Sequence, residues 1–557
     1  MKWLNEYSRH FLAQGYLTEG VSPEERIRFI ADKAEEILNI KGFADKFYDY
    51  MAKGYYSLSS PIWANFGIDK GLPISCFGGH IEDNMSGILY SVAETGMMSK
   101  FGGGTSGYFG EVRPRGATIT NNGQSSGAVH FMQLFESIID VVSQGSTRRG
   151  HYAPYLPLEH PDIDEFLDIG TEGNPIQDLT HGVTVTDKWM KEMIEGDKDK
   201  RRIWAKVIQR RVEIGYPYIV FIDTVNNGTV DVYKDKNLKI THSNLCSEIA
   251  LPDNHEWSFV CDLSSMNVVH YDEWKNTDAV ETMVYFLDAV MSDFITKLER
   301  LKNSSKHEDQ EAFHFMERAY RFAVDNRALG LGVLGWHSYL QSKMIPFESL
   351  EAKRLNTEIF KVIQQKSYKA SEKLAKLLGE APILKGYGRR NTTLNAVAPT
   401  TSSSFILGQV SQSVEPIWSN CYVKDIAKIK VTIFNPILKK LLTKYGQDNR
   451  DVWQSIRNHD GSVQHLQFLS PLEKEVFKTF EEIDAYEIVD QAAARQAFID
   501  QSQSLNLMIN PKMSAKEINE IYINAWQLGV KSLYYQHSTN AAQKFNQNKL
   551  CGTACEA

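Results

Sequence analysis

Prediction of the fold starts from the segment His242-Ser243-Asn244-Leu245-Cys246-Ser247-Glu248-Ile249-Ala250-Leu251-Pro252. Successive side chains of an extended strand point to opposite faces, so we expect Asn244, Cys246 and Glu248 to share one face. Leu245 and Ile249, with Ser247 between them, would lie on the other face and anchor the segment. A carboxylate near a thiol can move a proton, and an amide can hold a hydroxyl. An ordinary buried strand with a structural cysteine has the same pattern, and the stretch alone leaves the two interpretations even.

Length and composition describe an ordinary globular chain. It has 557 residues, 42% apolar and 23% charged, with a net charge of −8. It can bury a large core, as one large domain with helical additions or as two domains. The acidic balance argues against a nucleic-acid partner. The sequence shows no secretory signal and no apolar run that could span a bilayer, so we expect a cytoplasmic protein without a membrane partner.

Cysteine is too sparse for a disulfide scaffold. The six cysteines are Cys76, Cys246, Cys261, Cys421, Cys551 and Cys555. In a reducing compartment a thiol pair is redox-active or metal-binding rather than structural. The sequence has no CxxC pair and no zinc-like histidine cluster, so we predict no metal site in this chain.

The first hundred residues combine helices with loops that suit a pocket. Ser22-Pro23 followed by glutamates is a helix start, and helices to about Leu38 and around Phe43–Lys53 would form a small helical domain. Hydroxyl-rich loops follow at Ser59-Ser60-Pro61 and before Cys76. The glycine run that ends at Gly107 lets a backbone approach a ligand, although it matches no nucleotide-loop motif. Taken alone, the hydroxyl-rich loops are more typical of a plain surface loop, and the glycine run is a weak signal.

Three later segments also suggest chemistry. Leu394–Phe405 is strand-like and breaks into a hydroxyl-rich turn, which is an anion site or a plain surface turn. Lys531–Gln536 is predicted as a strand whose adjacent tyrosines point to opposite faces and could relay through a wall, although a tyrosine pair in a core is more common. After His537 the apolar pattern stops, and a flexible tail carries Cys551 and Cys555, which suits thiol–disulfide exchange.

Together these motifs resemble the large (alpha) subunit of ribonucleotide reductase. The matching motifs follow the family's order: Ser75-Cys76, Asn244 to Ile249, Cys261, Pro399 to Ser404, Leu533-Tyr534-Tyr535-Gln536, and the cysteine pair of the tail. Five of the six cysteines fall on family positions, and we interpret Cys421 as a packing residue.

The resemblance implies an α/β fold. It is a ten-stranded α/β barrel of two parallel five-stranded halves that run antiparallel to each other, with the stretch around Cys246 as a finger loop in the centre. Residues 1–55 would be the small helical domain, 56–540 the barrel with helical additions, and 541–557 a flexible redox-active tail.

The resemblance also implies an enzyme that reduces ribonucleoside diphosphates to deoxyribonucleotides and so supplies DNA precursors. In this family pattern Cys246 becomes a thiyl radical and abstracts the 3′ hydrogen. Glu248 takes the 3′-hydroxyl proton, and Asn244 holds the substrate hydroxyls. Cys76 and Cys261 protonate the departing 2′-hydroxyl and deliver two electrons, which leaves a disulfide between them.

Further roles follow from the same resemblance. Cys551 and Cys555 would reduce the disulfide and be reduced in turn by thioredoxin or glutaredoxin. Tyr534 and Tyr535 would carry the radical from a separate small (beta) subunit, as in class I, so that this chain holds no metal or radical cofactor of its own. The implied substrate-binding residues are Ser60, Ser75, Gly104, Pro399, Thr400, Thr401, Ser402 and Ser403.

Regulation is implied at a second site. A deoxynucleoside triphosphate or ATP with Mg²⁺ would bind at Asp83 and Arg113, and the loop Asp168–Gly182 would report to the active site. Helices over Asp83–Lys100 and Gly127–Val142 would form a homodimer interface. Thr120 stands where some relatives carry an effector-binding arginine, and the loop has no arginine, so the effector preference stays open.

The sequence departs from the pattern of many family members in one further respect, and two alternatives to a class I reductase stay open. Many large subunits begin with an ATP-binding cone, whereas this sequence is expected to start directly at the helical domain, and we expect any on–off control to lie on the partner subunit. The alternatives are an adenosylcobalamin-dependent (class II) reductase and a non-catalytic nucleotide-binding paralogue.

Overall fold

The first long helices begin and end where their sequences place the signals. Ser22 caps the helix Pro23–Leu38, and Glu25 completes a reciprocal capping box with it. The helix Phe43–Lys53 ends at Gly54, which has a left-handed backbone. Both helices match the predicted spans, because caps act within one turn of the chain.

The computed structural model describes residues 1–74, 76–144, 149–426, 429–539 and Gln543. Its helices are α1 Glu6–Leu12, α2 Pro23–Leu38, α3 Phe43–Lys53, α4 Ser60–Asn65, α5 Met85–Lys100, α6 Ala128–Val141, α7 Ile163–Leu167, α8 Asp187–Glu195, α9 Lys198–Ile214, α10 Ile222–Asn227, α11 Asp231–Asp235, α12 Tyr271–Trp274, α13 Ala279–Lys302, α14 His307–His314, α15 Glu317–Asn326, α16 Trp336–Ser342, α17 Leu350–Leu378, α18 Thr401–Ile406, α19 Pro436–Lys444, α20 Arg450–Asn458, α21 Pro471–Val476, α22 Ala485–Gln496 and α23 Ala515–Gln527. Its strands are β1 Tyr56–Leu58, β2 Cys76–His80, β3 Gly104–Tyr108, β4 Thr118–Ile119, β5 Gly123–Gln124, β6 His151–Pro157, β7 Gly182–Val185, β8 Tyr218–Phe221, β9 Phe259–Asn267, β10 Leu329–Leu334, β11 Cys421–Ile426, β12 Ile429–Phe434, β13 Leu507–Met508, β14 Ser532–Leu533 and β15 Gln536–His537.

The strands form two parallel sets. In the first set β2, β3, β6, β7 and β8 pair side by side, each parallel to the next. In the second set β9 is parallel to β10, parallel bridges join Leu331 to Asn395 and Val397 to Gln503, and β13 is parallel to β15. Antiparallel pairs join the sets at β2–β9 and at β8–β14. This arrangement confirms the predicted α/β barrel of two opposed parallel halves.

Close packing between neighbouring segments of the second set depends on a glycine. A Cβ on Gly332 of β10 would lie 2.4 Å from the carbonyl oxygen of Ala396, a separation that no side chain tolerates. Its own strand β10 is buried at all six positions, as expected for a parallel strand that is covered on both faces.

The finger loop lies inside the barrel and is held by both halves. From the first half, Ser106 Oγ on β3 donates to the carbonyl oxygen of Ser243 (2.9 Å), and the Tyr155 hydroxyl on β6 donates to that of Asn244 (2.6 Å). From the second half, Ser532 Oγ donates to the carbonyl oxygen of Ser247 at 2.8 Å. The loop is therefore fixed on two sides.

The remaining elements surround the barrel. The helices α2 and α3 contribute to the same apolar core as the barrel, and the boundary placed at residue 55 stays a prediction. The hairpin β11–β12 and the helices α19 and α20 share a separate apolar cluster, in which Cys421 is buried. Among the described residues, no helix is both long and apolar enough to cross a bilayer.

Candidate active site

The finger loop is a turn rather than the extended segment that its alternation predicts. Ser247 has a left-handed backbone (φ 58°), and its N–H donates to the carbonyl oxygen of Asn244 at 3.3 Å. Leu245 consequently lines the same cavity as Cys246 and Glu248, so the predicted separation of polar and apolar faces is wrong. The turn brings the amide, thiol and carboxylate to one cavity by a different geometry.

Two cysteines face each other directly across the seam between the halves. Cys76 begins β2, and its antiparallel register partner on β9 is Cys261. Opposed residues in antiparallel strands have Cα atoms about 4.5 or 5.5 Å apart, within the range that a disulfide spans. Both side chains are thiols in this structure. The pair can therefore form and lose a disulfide without moving the backbone.

Each of the two sulfurs is contacted by a carboxamide. Asn244 Nδ2 lies 3.6 Å from Cys76 Sγ, and Gln501 Nε2 lies 3.3 Å from Cys261 Sγ. The carboxamide oxygens accept from consecutive N–H groups of the finger loop: Asn244 Oδ1 from Ile249 (3.2 Å) and Gln501 Oε1 from Ala250 (3.0 Å). The two amides thus tie the thiol pair to the loop that carries Cys246.

The carboxyl group of Glu248 can exchange a proton near neutral pH. Burial raises the pKa of Glu248 to about 7, and hydrogen bonds from Asn244 and Ser504 partly oppose this rise. The Ser504 hydroxyl lies 3.0 Å from Glu248 Oε2 and 2.5 Å from the carbonyl oxygen of Cys246. Burial also raises the pKa of Cys261 well above its usual range, which keeps that side chain a neutral thiol.

Most of the predicted substrate-binding residues meet at one cavity. Of the predicted residues, it is lined by Ser60, Cys76, Gly104, Asn244, Cys246, Glu248, Pro399, Thr400 and Ser403. Four more serines also line it: Ser57, Ser59, Ser264 and Ser265. Cys261 is buried and lies opposite Cys76 in the antiparallel pair β2–β9. Thr401 lines a neighbouring cavity and Ser402 is buried, while Ser75, Cys551 and Cys555 lie outside the described residues.

The end of the cavity formed by Pro399–Ser403 suits an anion. Thr400 has a left-handed backbone, and α18 begins at the next residue. The first N–H groups of a helix have no acceptor within it, and hydroxyl side chains surround this start. The Thr400 hydroxyl is held by Ser404 at 2.9 Å and by the N–H of Ser413 at 2.7 Å, so the turn has a fixed shape.

The adjacent tyrosines lie between β14 and β15, not within one strand. Their ring centroids are 4.4 Å apart at 56°, so the expectation that they point to opposite faces is wrong. The Tyr534 hydroxyl and the Cys246 thiol are hydrogen-bond partners and lie in one apolar cluster. The Tyr218 ring lies 4.8 Å from that of Tyr534 and 5.2 Å from that of Tyr535. A line of phenols therefore ends at the Cys246 sulfur.

The two predicted effector residues lie together, on the surface. Arg113 Nε is 2.8 Å from Asp83 Oδ2, and the Arg113 N–H donates to Asp83 Oδ1 at 3.0 Å. Both side chains are about one-third exposed. The loop between α7 and β7 is anchored to α6, because Glu136 accepts from the N–H groups of Gln177 (2.8 Å) and Asp178 (2.7 Å).

Sequence reasoning missed three residues that contact the predicted ones. Gln501 and Ser504 lie in a polar segment, Asp500–Asn506, that is buried throughout. A run of glutamines and serines is typical of a surface loop, so the only sign of burial in this sequence is the apolar residue at each end. Tyr218 lies in the buried strand β8, and nothing in its local sequence pattern links it to Tyr534.

Comparisons with known proteins cover nearly the whole chain. The family described as "Ribonucleotide reductase, barrel domain" matches residues 74–200, 195–386 and 381–536, and "Ribonucleotide reductase, all-alpha domain" matches residues 2–71. The ribonucleoside-diphosphate reductase large subunit of Invertebrate iridescent virus 3 is 34% identical over 98% of this chain and 97% of that protein. That of Caenorhabditis elegans is 28% identical over 89% of this chain and 70% of that protein. The solved structure of the Actinobacillus ureae class Id ribonucleotide reductase alpha subunit is 54% identical, covers 98% of each chain and superimposes with a TM-score of 0.90.

Proposed function

The chain belongs to the ribonucleotide reductase large-subunit family, and we propose on this premise how its residues divide the work of the reaction. It is a class I ribonucleoside-diphosphate reductase large subunit, which reduces ribonucleotides to deoxyribonucleotides. Likeness to a class I alpha chain favours this function over the cobalamin-dependent alternative. The observation that carries the assignment of residues is the opposition of Cys76 and Cys261 beside the finger loop.

Cys246 is assigned the hydrogen abstraction. Its sulfur, as a thiyl radical, takes the 3′ hydrogen of the ribose and becomes a thiol. Its buried position keeps water from the radical, and its hydrogen bond with Tyr534 provides the route by which the radical arrives. The family implies that the radical cofactor belongs to a separate small subunit, which supplies the one-electron oxidation.

Glu248 and Asn244 act on the substrate hydroxyls. The Glu248 carboxylate accepts the 3′-hydroxyl proton, which its pKa of about 7 permits near neutral pH. Asn244 lines the cavity while its oxygen is held by the loop, so its amide can position a hydroxyl without taking its proton.

The thiol pair supplies the reducing equivalents. One thiol of Cys76 and Cys261 protonates the 2′-hydroxyl, which leaves as water, and the pair gives two electrons as the sulfur–sulfur bond forms. Cys246 then returns the hydrogen to the 3′ carbon. The net change is one ribonucleotide and two thiols to one deoxyribonucleotide, one water and one disulfide.

Binding and re-reduction are assigned to the remaining predicted residues. The Pro399–Ser403 turn would hold the phosphates, and Ser60 and Gly104 the sugar side of the cavity. Cys551 and Cys555 would reduce the Cys76–Cys261 disulfide and be reduced by thioredoxin or glutaredoxin. Cys551 follows Thr539 by twelve residues, and an extended chain of that length reaches about 40 Å.

Regulation and assembly are proposed for the surface beyond the cavity. Asp83 and Arg113 would bind a nucleoside triphosphate with Mg²⁺, and the loop anchored to Glu136 would transmit the signal. Exposed apolar residues on α5 and α6, such as Leu89 (52% exposed) and Val141 (80% exposed), support a homodimer across these helices. We propose the cytoplasm as the compartment, because the proposed reaction needs Cys76 and Cys261 as thiols at the start of each turnover and a reducing compartment keeps thiols reduced.

A single substitution tests the function. Cys246→Ser should abolish nucleotide reduction in the presence of the small subunit, because a hydroxyl does not give a comparable radical. Substrate binding should stay within twofold of the unmodified chain. Retained turnover in Cys246→Ser would refute the thiyl assignment, and a chain that reduces no nucleotide with a competent small subunit would favour the non-catalytic paralogue.

A further inference from the structure

The line of rings that starts at Cys246 does not end at Tyr535. The His537 ring lies 5.6 Å from the Tyr535 ring, and the Trp418 ring lies 4.5 Å from that of His537 at an angle of 78°. Trp418 is 37% exposed, whereas Tyr534 is 8% exposed. The aromatic line therefore runs from the buried sulfur to a tryptophan at the surface.

The indole of Trp418 is paired with a buried carboxylate. Its Nε1–H donates to Glu415 Oε2 at 3.2 Å, and Asn506 Nδ2 donates to Glu415 Oε1 at 2.5 Å. Glu415 is only 4% exposed. Two N–H donors on its two oxygens match the ionised form, which only accepts hydrogen bonds.

The same contacts join the surface tryptophan to the tyrosine pair. Asn506 Oδ1 accepts from the N–H of Tyr535 at 3.2 Å, while its amide nitrogen donates to Glu415. Asn506 also follows Ser504, which contacts Glu248, by two residues. One buried segment thus fixes the positions of Trp418 and Tyr535 relative to each other.

We propose that Trp418 is the residue through which the one-electron oxidant of the small subunit oxidises this chain, with Glu415 as the acceptor of the indole proton. The proposal rests on the proposed function. It adds Trp418 and Glu415 to the route that leads to Tyr535. The chemical class of the oxidant is a one-electron acceptor held by the partner subunit.

The electron and proton movements balance at each step. One electron leaves the Trp418 indole for the oxidant, and the Nε1 proton moves along the existing hydrogen bond to Oε2 of Glu415, which leaves a neutral indolyl radical. Tyr535 then gives one electron to the indolyl radical and releases its hydroxyl proton to water at its half-buried position. The proton on Glu415 returns to Nε1, which restores Trp418.

Loss of Trp418 must be distinguished from the loss of a tryptophan that only packs. The Trp418 ring also contacts Phe480 edge to face, with centroids 5.7 Å apart, so its loss could alter packing. A matched control exists in Trp257, whose Nε1–H donates to Asp325 Oδ2 at 3.0 Å and whose ring lies 5.7 Å from Phe322 edge to face. Trp257 has the same two kinds of contact but lies outside the aromatic line.

The first experiment uses the chain alone. A soluble ruthenium complex, oxidised by a laser flash, serves as the one-electron oxidant, and the tyrosyl radical is followed by its absorption. The part of the signal that is lost in Tyr535→Phe should also be lost in Trp418→Phe and be retained in Trp257→Phe. Full retention of the signal in Trp418→Phe would overturn the proposal.

The second experiment uses the chain with its small subunit at saturating concentration. Trp418→Phe should reduce nucleotides only at background level although it binds the small subunit within twofold of the unmodified chain, and Trp418→Tyr should recover turnover. Turnover of Trp418→Phe equal to that of the unmodified chain, or equal losses in Trp418→Phe and Trp418→Tyr, would overturn the proposal.

The two experiments separate the possible failures. An unmodified chain that gives no turnover refutes the proposed function, while the flash experiment still tests the aromatic line. If the unmodified chain is active and Trp418→Phe is equally active, only the proposed role of Trp418 is refuted. The roles assigned to the thiols are then unaffected.

Discussion

Two buried carboxylates lie at opposite ends of the same aromatic line. Glu248 lies beside the thiols and Glu415 beside the surface tryptophan, and burial raises the pKa of each to about 7. Their neighbours differ. Glu248 lines the cavity that also contains Cys246 and accepts a hydrogen bond from a hydroxyl, whereas both oxygens of Glu415 accept from N–H donors of the protein. Burial therefore sets how readily each group holds a proton, and the neighbours determine where that proton comes from.

The largest expected effect separates the two carboxylates by their chemistry. Glu248→Gln should lower nucleotide reduction roughly 10³-fold and Glu415→Gln roughly 10²-fold, because an amide does not accept a proton as a base. In the flash experiment only Glu415→Gln should weaken the tyrosyl signal. Comparable losses of that signal in both variants would remove the distinction between the two groups.

The second prediction concerns stability against pH. A raised pKa in the folded state favours folding while the carboxyl is protonated, and this contribution is lost as the pH rises from about 4.5 through about 7. Each group should therefore cost about 3 kcal/mol of unfolding free energy once ionised. Relative to the unmodified chain, Glu248→Gln and Glu415→Gln should each gain stability between pH 5 and pH 8 in urea titrations. A difference that is constant with pH would contradict the burial argument.

The third prediction concerns the amides that contact the sulfurs. Gln501→Met removes the donor to Cys261 and the acceptor for the Ala250 N–H, and should cost about 2 kcal/mol of unfolding free energy. It should also change the thiol–disulfide equilibrium of the Cys76–Cys261 pair, measured against dithiothreitol. Gln503→Met is the control, because Gln503 is equally buried but contacts Ala492, Gln496 and Arg495 instead of a thiol. An unchanged equilibrium in Gln501→Met would show that the amide only packs there.

A smaller effect is expected at Ser504. Its hydroxyl lowers the pKa of Glu248, so Ser504→Ala should shift the acidic limb of the turnover profile to higher pH and cost about 1 kcal/mol of stability. Ser502→Ala provides a control, since Ser502 Oγ contacts Ser532 Oγ at 2.6 Å and not the carboxylate. A shift to lower pH in Ser504→Ala would reverse the assigned direction of the hydrogen bond.

The smallest effect is expected at Tyr218. Its hydroxyl is a hydrogen-bond partner of Tyr535, but the route from Trp418 to Cys246 passes beside it. Tyr218→Phe should therefore keep turnover within about threefold, since one neutral hydrogen bond is worth about 1 kcal/mol or less. A loss as deep as that of Tyr535→Phe would place Tyr218 on the route itself.

The features that the sequence predicts well depend on local signals or on a motif quoted in full. The capping box at Ser22 predicts its helix, and the resemblance around Cys246 predicts the barrel. The turn at Ser247 was missed because strand alternation assumes an extended backbone. Gln501 and Trp418 were missed because their roles depend on contacts between distant segments of the chain. Gln501 contacts Cys261, 240 residues away, and the Trp418 ring contacts that of His537, which lies in a different segment.

The register that sets Cys76 opposite Cys261 has a mechanical consequence. Because the two residues belong to different halves of the barrel, oxidation joins the halves covalently and closes a ring of about 185 residues. The ring lowers the chain entropy of the unfolded state, which raises the unfolding free energy by about 5 kcal/mol. Each turnover would then link the two halves covalently, and each re-reduction would remove that link. The disulfide form, which has not yet been re-reduced, is thus more stable to unfolding than the dithiol form. Resistance to proteolysis would therefore report the fraction of a preparation that holds the disulfide.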